Sequence, residues 1–295
     1  MLAFEPQLLR KLTIPSRRNY GKYSGLFTSK AEGEGYDLYG IRGYREGDSV
    51  KKIDWNATAR TGDLHVKASH RDVNIPVYIF IDQSMSMSYG HAVTKKEASD
   101  IVLSFLCHIA IKEQNPISIL TNKKSNYFNK LSGRRKTYQY ARSIIGDSNL
   151  SGTDRNAGEI LNRLSRPAIP SGAVVVISDF INTPDLVASL PKLSERHKVT
   201  AVRVYDSKEY NLPETRGFLY MKDPEDNSVS RIFIDNNTRS EYNKIANDNL
   251  EKLEYLMNKS NVYNVPLEVN SNIVNTLSYF FHENRVNRID RKTNI

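Results

Sequence analysis

Cysteine is almost absent from this chain. Cys107 is the only one in 295 residues, so no intrachain disulfide can form and a reducing compartment is the natural setting. It lies in the apolar helical pattern "IVLSFLCHIAI" and reads as a small core residue. Long hydrophobic runs are also missing, and none approaches the about 18 residues that a membrane span requires. The start, "MLAFEPQLLRKLTIPSRR", lacks the charged-then-apolar order of a secretory leader. A cytoplasmic protein without a transmembrane segment is therefore expected. Histidines 65, 70, 91, 108, 197 and 282 fall at no metal-ligand spacing, which argues against zinc. The glycines at 33, 35, 40, 43 and 47 follow no predicted strand and open no helix, so a dinucleotide or phosphate loop is not expected.

What is present is the composition of a globular protein, 39% hydrophobic and 25% charged, with 42 basic against 33 acidic residues and a net charge of +9. A basic surface attracts polyanions at long range. The densest basic stretch, "NKKSNYFNKLSGRRKTYQYAR", interleaves Lys123, Lys124, Lys130, Arg134, Arg135, Lys136 and Arg142 with Tyr127, Phe128, Tyr138 and Tyr140. Such a stretch could bind single-stranded nucleic acid, or it could be a solvated loop followed by the polar face of a helix starting near Arg134. The alternative function, a nucleic-acid-binding protein using residues 123–142, rests on the first of these.

From Val77 onward, strand and helix signals alternate. "VYIFID", "PISILT", "AVVVISD" and "KVTAVRVYD" read as strands, while "KKEASDIVLSFLCHIAIKEQ", "TDRNAGEILNRLSR" and "DLVASLPKLSERH" carry helical periodicity. Thr153 or Asp154 would cap the second of these helices. "GFLYMKD" and "SVSRIFID" around "PEDN" predict a hairpin, followed by a long helix opened by Asn237 or Thr238 and a terminal helix over "NIVNTLSYFFHEN". The alternation predicts an α/β fold with a doubly wound, mostly parallel sheet over residues 74–295. Residues 1–73, rich in glycine turns and without a long helix, form an irregular or β extension packed on it.

In such sheets ligands bind beyond the carboxyl ends of the strands. Asp82, Ser84 and Ser86 alternate in "DQSMSMSYG" just past the strand "VYIFI", so they can face one point while Gln83 and Met85 face away. Thr153, in "LSGTD" before a helix, and Asp179, ending "AVVVISD", occupy equivalent places. Two carboxylates and three hydroxyls suit a hard divalent cation, magnesium first and manganese or calcium as alternatives. The same side chains could instead cap helices and satisfy loop backbone groups. A cation would offset the repulsion between Asp82 and Asp179 and let a partner's carboxylate complete the shell.

This constellation resembles the metal-ion-dependent adhesion site of von Willebrand factor type A domains at all five positions. Upstream, "YGIRGYREGDSVKKIDWNATARTGDLHVK" resembles the signature of the bacterial domain-of-unknown-function family 58, through Gly47-Asp48, Ile53-Asp54-Trp55 and Thr58-Ala59-Arg60-Thr61-Gly62. The resemblance implies a non-enzymatic adaptor working beside a MoxR-type AAA+ ATPase in protein remodelling or maturation. It implies Asp82, Ser84, Ser86 and Thr153 as direct or water-bridged ligands, with Asp179 behind them. From physics alone, Trp55 is expected to bury a large apolar area against the α/β domain, and Arg60 to bracket Asp54 or Asp48.

Catalytic readings fit less well. A haloacid-dehalogenase-type phosphotransferase would carry a second acidic residue where Ser84 stands. A serine hydrolase would need a Gly-x-Ser-x-Gly elbow, which the serines beside His91 do not provide. No enzymatic activity is expected.

Overall fold

The computed structural model describes residues 28–90, 92–122, 133–147, 157–210, 212–222 and 228–279. These fall into two compact units that meet in sequence between Ile75 and Pro76.

The smaller unit is built on a long antiparallel ladder, strand β1 (Thr28–Gly43) against strand β2 (His65–Asn74). Its register runs from Thr28 opposite Asn74 to Gly43 opposite His65, with a break between Glu32 and Asp37. This long ladder was not anticipated from a segment whose glycines suggested turns. Between the strands, helix α1 (Trp55–Thr61) starts at Asp54, whose carboxylate accepts from the amides of Asn56 and Ala57, both at 3.1 Å. It stops at Gly62, whose φ of 82° is a left-handed conformation that glycine adopts without a steric penalty.

The larger unit is doubly wound. Five parallel strands stand in the order β4-β3-β5-β6-β9: β3 (Val77–Ile81), β4 (Ile117–Thr121), β5 (Ala173–Ser178), β6 (Lys198–Tyr205) and β9 (Tyr263–Glu268). The first three are buried along their whole length, and β3 and β5 accordingly read as nearly unbroken apolar runs, while β4 also buries Ser118 and Thr121. Helices α2 (Lys95–Lys112) and α3 (Arg134–Ile145) pack together. Helices α4 (Ala157–Leu164), α5 (Pro184–Ser194) and α6 (Asn236–Lys259) share a core with Tyr78, Phe80, Val174 and Val176. Because side chains alternate along a strand, Val77, Ile79 and Ile81 point to the opposite face from Tyr78 and Phe80.

Strand β9 was not foreseen, because "YNVPLE" carries a proline and little apolar continuity. It is an edge strand, where a proline costs few ladder bonds. Helix α6 opens two residues earlier than the nearer of its two expected caps, at Asp235, whose carboxylate accepts from Thr238 N at 2.7 Å. The predicted hairpin forms from β7 (Gly217–Lys222) and β8 (Val229–Ile234). A helical segment also spans 273–279. Among the described residues, no helix is long and apolar enough to cross a membrane.

The order of the strands places the switch of direction between β3 and β5. The chain leaves β3 toward β4 on one side and returns to β5 on the other, and in doubly wound sheets ligands bind beyond the carboxyl ends at such a switch. Asp82 and Asp179 are the residues that follow those two strands.

At the opposite end of the sheet, Gly172 sits directly against Pro76. Ala173 N donates to the Pro76 carbonyl at 2.9 Å and Lys198 N donates to the Gly172 carbonyl at 3.0 Å. A Cβ at position 172 would collide with the Pro76 carbonyl. Gly172→Ala should therefore destabilise the fold by about 1–3 kcal/mol, seen as a lower urea midpoint with an unchanged slope.

Candidate functional site

Asp82 is fully buried at the end of β3, and three neighbours hold its carboxylate. Oδ1 accepts from Ser84 N at 2.9 Å and from Asn122 Nδ2 at 3.0 Å, and Oδ2 accepts from Ser178 Oγ at 2.7 Å. Asn122 is a member of the site that the sequence reading missed. It follows β4, and its own Oδ1 accepts from Gln83 N at 2.9 Å, so one side chain braces both the carboxylate and the turn after it. Ser178 was read only as a strand residue before Asp179. Its hydroxyl also accepts from Phe180 N at 3.0 Å.

Of the convergence expected of "DQSMS", the pair of hydroxyls is present. Ser84 Oγ and Ser86 Oγ meet at 3.0 Å, while Met87 is buried in the core. The backbone turns into a short 3-10 helix from Met85 to Ser88 rather than staying extended. Burial pushes the Asp82 carboxyl above its ordinary value. The Ser178 hydroxyl opposes that rise and the nearby Asp179 charge adds to it.

Asp179 is differently engaged. Its Oδ1 accepts from Ile181 N at 3.0 Å, and its Oδ2 accepts from the Lys95 ammonium at 2.7 Å. Lys95 also donates to Glu209 Oε1 at 2.6 Å, and its side chain is 1% exposed. Burial alone would push this ammonium down, but the charges of Asp179 and Glu209 outweigh it and hold it above its ordinary value. Burial pushes the Glu209 carboxyl up, against the pull of Lys95.

Three elements supply this triad. Lys95 is the first residue of α2, where a capping box between Thr94 and Glu97 fixes the helix start. Glu209 stands in the turn after β6, where its Oε2 accepts from Asp206 N at 3.3 Å and its carbonyl accepts from Tyr242 Oη at 2.8 Å. Lysine 95 gave no signal in the sequence, because "TKKEASD" reads as the solvated start of a helix.

Thr153 lies outside the described residues, as do His91 and residues 123–132 of the basic stretch. Among the described residues, no three His, Cys, Asp or Glu side chains converge in a way that could hold a metal ion. Of the three groups that hold the Asp82 carboxylate, one is a hydroxyl, that of Ser178. His197 is a satisfied core histidine: Nε2 lies 3.0 Å from the Leu164 carbonyl, and Nδ1 accepts from Gly172 N at 3.3 Å. His108 meets the Tyr138 hydroxyl at 3.2 Å.

In the smaller unit the family-signature residues divide into two sets. Gly47 takes the left-handed turn at φ 97°. Asp48 accepts from Arg45 N at 2.8 Å and from both guanidinium nitrogens of Arg42, at 2.7 and 2.8 Å. Thr58 Oγ1 accepts from His65 N at 3.1 Å, tying α1 to β2. The expected bracket thus exists, but Arg42 makes it, while Arg60 Nε donates to the Asn56 carbonyl at 3.2 Å. Within the smaller unit Trp55 packs into no core and is 65% exposed. As the first residue of α1, it serves neither as cap nor as core.

Two outcomes follow from these contacts. Lys95→Met leaves Asp179 and Glu209 without their cation and should cost about 3–5 kcal/mol of stability, with partial recovery when Asp179→Asn is added; urea denaturation measures both. The Arg42 guanidinium first, then the Arg45 amide, holds the Asp48 carboxyl down from 3.8 to about 2. The resulting stability is present above 3.8 and is lost as pH falls toward about 2. Arg42→Ala should return the Asp48 titration, followed by carboxyl NMR, to the ordinary aspartate range.

An uncharacterized protein of Mycobacterium tuberculosis, Rv1480, is 25% identical over 241 residues, covering 77% of this chain and 71% of the relative. A counterpart in Mycobacterium bovis, Mb1516, matches equally. An uncharacterized protein of Mycobacterium avium, MAV169, is 30% identical over 86 residues, covering 29% of this chain and half of the relative. Residues 40–252 match the family model described as protein of unknown function DUF58, from the signature in the smaller unit through most of the doubly wound domain, and the chain belongs to that family.

Proposed function

We propose that this protein is a non-enzymatic interaction module that captures a partner's carboxylate through a divalent cation held at the switch point of its sheet. The observation that carries this reading is the meeting of Ser84 and Ser86 hydroxyls at 3.0 Å beside the buried Asp82 carboxylate. Neighbouring ligands in an octahedral magnesium shell, each about 2.1 Å from the ion, stand about 3 Å apart. The two hydroxyls therefore have the spacing of adjacent ligands. Asp82 keeps lone-pair capacity beyond its three hydrogen bonds.

In this reading Asp82, Ser84, Ser86 and Thr153 hold the ion directly or through water, as in a von Willebrand factor type A adhesion site. Magnesium suits hard oxygen donors best, with manganese and calcium as substitutes. The bound cation supplies the charge that a carboxylate on the partner needs. Asp179 supports the site from behind, its own charge already met by Lys95. The family resemblance adds the setting: a cytoplasmic adaptor beside a MoxR-type AAA+ ATPase, in the remodelling or maturation of other proteins.

The test is manganese binding followed by electron paramagnetic resonance, together with capture of a co-expressed MoxR-type ATPase in magnesium or in chelator. Wild type should bind one ion and retain the partner only when the ion is present. Asp82→Ala should lose both while keeping its circular dichroism spectrum. Partner capture that is indifferent to chelator and to Asp82→Ala would overturn the proposal.

A further inference from the structure

The hairpin β7–β8 presents a face that the cation site does not use. Phe218 stands opposite Phe233 and Tyr220 opposite Arg231, so these four side chains share one face of the two-stranded sheet. On that face Phe218 is 57% exposed, Tyr220 65% and Phe233 41%, with Val229 also exposed. The other face, with Leu219, Ile232 and the buried Ile234, turns inward.

Cations stand over the rings. The Arg231 guanidinium lies 3.7 Å from the Phe218 ring centre and Arg216 lies 5.8 Å from that of Phe233. Phe218 and Phe233 meet edge to face at 5.0 Å. No carboxylate among the described residues shares this face. Asp235, just past β8, is committed as the cap of α6. The acidic residues of the connecting segment 223–227 lie outside the described residues.

We propose that the outer face of this hairpin binds single-stranded nucleic acid, with bases stacking on Phe218, Tyr220 and Phe233 and phosphates met by Arg216 and Arg231. Exposed rings of this kind stack bases of any sequence, and arginine planes add to the platform. Side chains two apart on a strand are about 6.8 Å apart, twice the about 3.4 Å stacking interval of a nucleic-acid strand. An acidic polypeptide would satisfy the guanidinium groups and leave the ring faces in water, whereas each nucleotide offers both a planar base and a phosphate. The net charge of +9 favours the same class of partner at long range.

The experiment uses the full chain and fluorescein-labelled oligothymidylate and oligouridylate, with anisotropy read at about 50 and about 200 mM salt. Wild type should bind, and should weaken steeply with salt. Tyr220→Ala and Arg231→Glu are exposed changes that leave the fold intact, and each should weaken binding by about tenfold or more. Absence of binding at low salt overturns the proposal. So does affinity unchanged in both variants, or affinity lost only in Arg134→Glu/Arg135→Glu, which would put the contact on α3. Full competition by polyglutamate, or binding to phosphatidylserine vesicles but to neither oligonucleotide, would also overturn it.

Discussion

Placing an ammonium group in a protein interior carries a desolvation cost of several kcal/mol, and the geometry around Lys95 is built to offset it. Two carboxylates reach the same nitrogen, Asp179 from the end of β5 and Glu209 from the turn after β6. Each comes from a different strand end, so satisfying one cation fixes the start of α2, the exit of β5 and the turn after β6 at once. Lys95 meets the charge of Asp179, while the Asp82 carboxylate is held separately by Ser84 N, Asn122 Nδ2 and Ser178 Oγ.

The same logic separates the two sets of signature residues in the smaller unit. Asp48, Asp54 and Thr58 accept backbone or guanidinium hydrogens, and Gly47 and Gly62 adopt left-handed backbone. These residues make a short helix and a turn stand still. Trp55 does none of this. Val50 and Leu64 are exposed in the same unit.

Much of the large domain was legible from pattern alone. Fully buried parallel strands are apolar on both faces, and "VYIFI" and "AVVVIS" say so in their composition. Asp82, Ser84 and Ser86 were legible because residues at alternate positions after a strand can converge. What escaped were residues whose role depends on something far away in sequence. Asn122 is 40 residues from Asp82, and Lys95 is 84 from Asp179 and 114 from Glu209. Strand β9 escaped for a related reason, because its pairing with β6 supplies the structure that its composition does not announce.

The sequence by itself determined the class of fold, the strand ends that bear oxygen side chains and the absence of a disulfide, because each follows from local periodicity, composition or count. Tertiary structure alone decided that Lys95 is a buried ion-pair partner rather than a solvated helix residue, and that Arg42 and not Arg60 clamps Asp48. Charge and hydropathy are properties of a residue type. Burial and pairing belong to a place in the fold, and that place is set by contacts between segments that the linear pattern leaves independent.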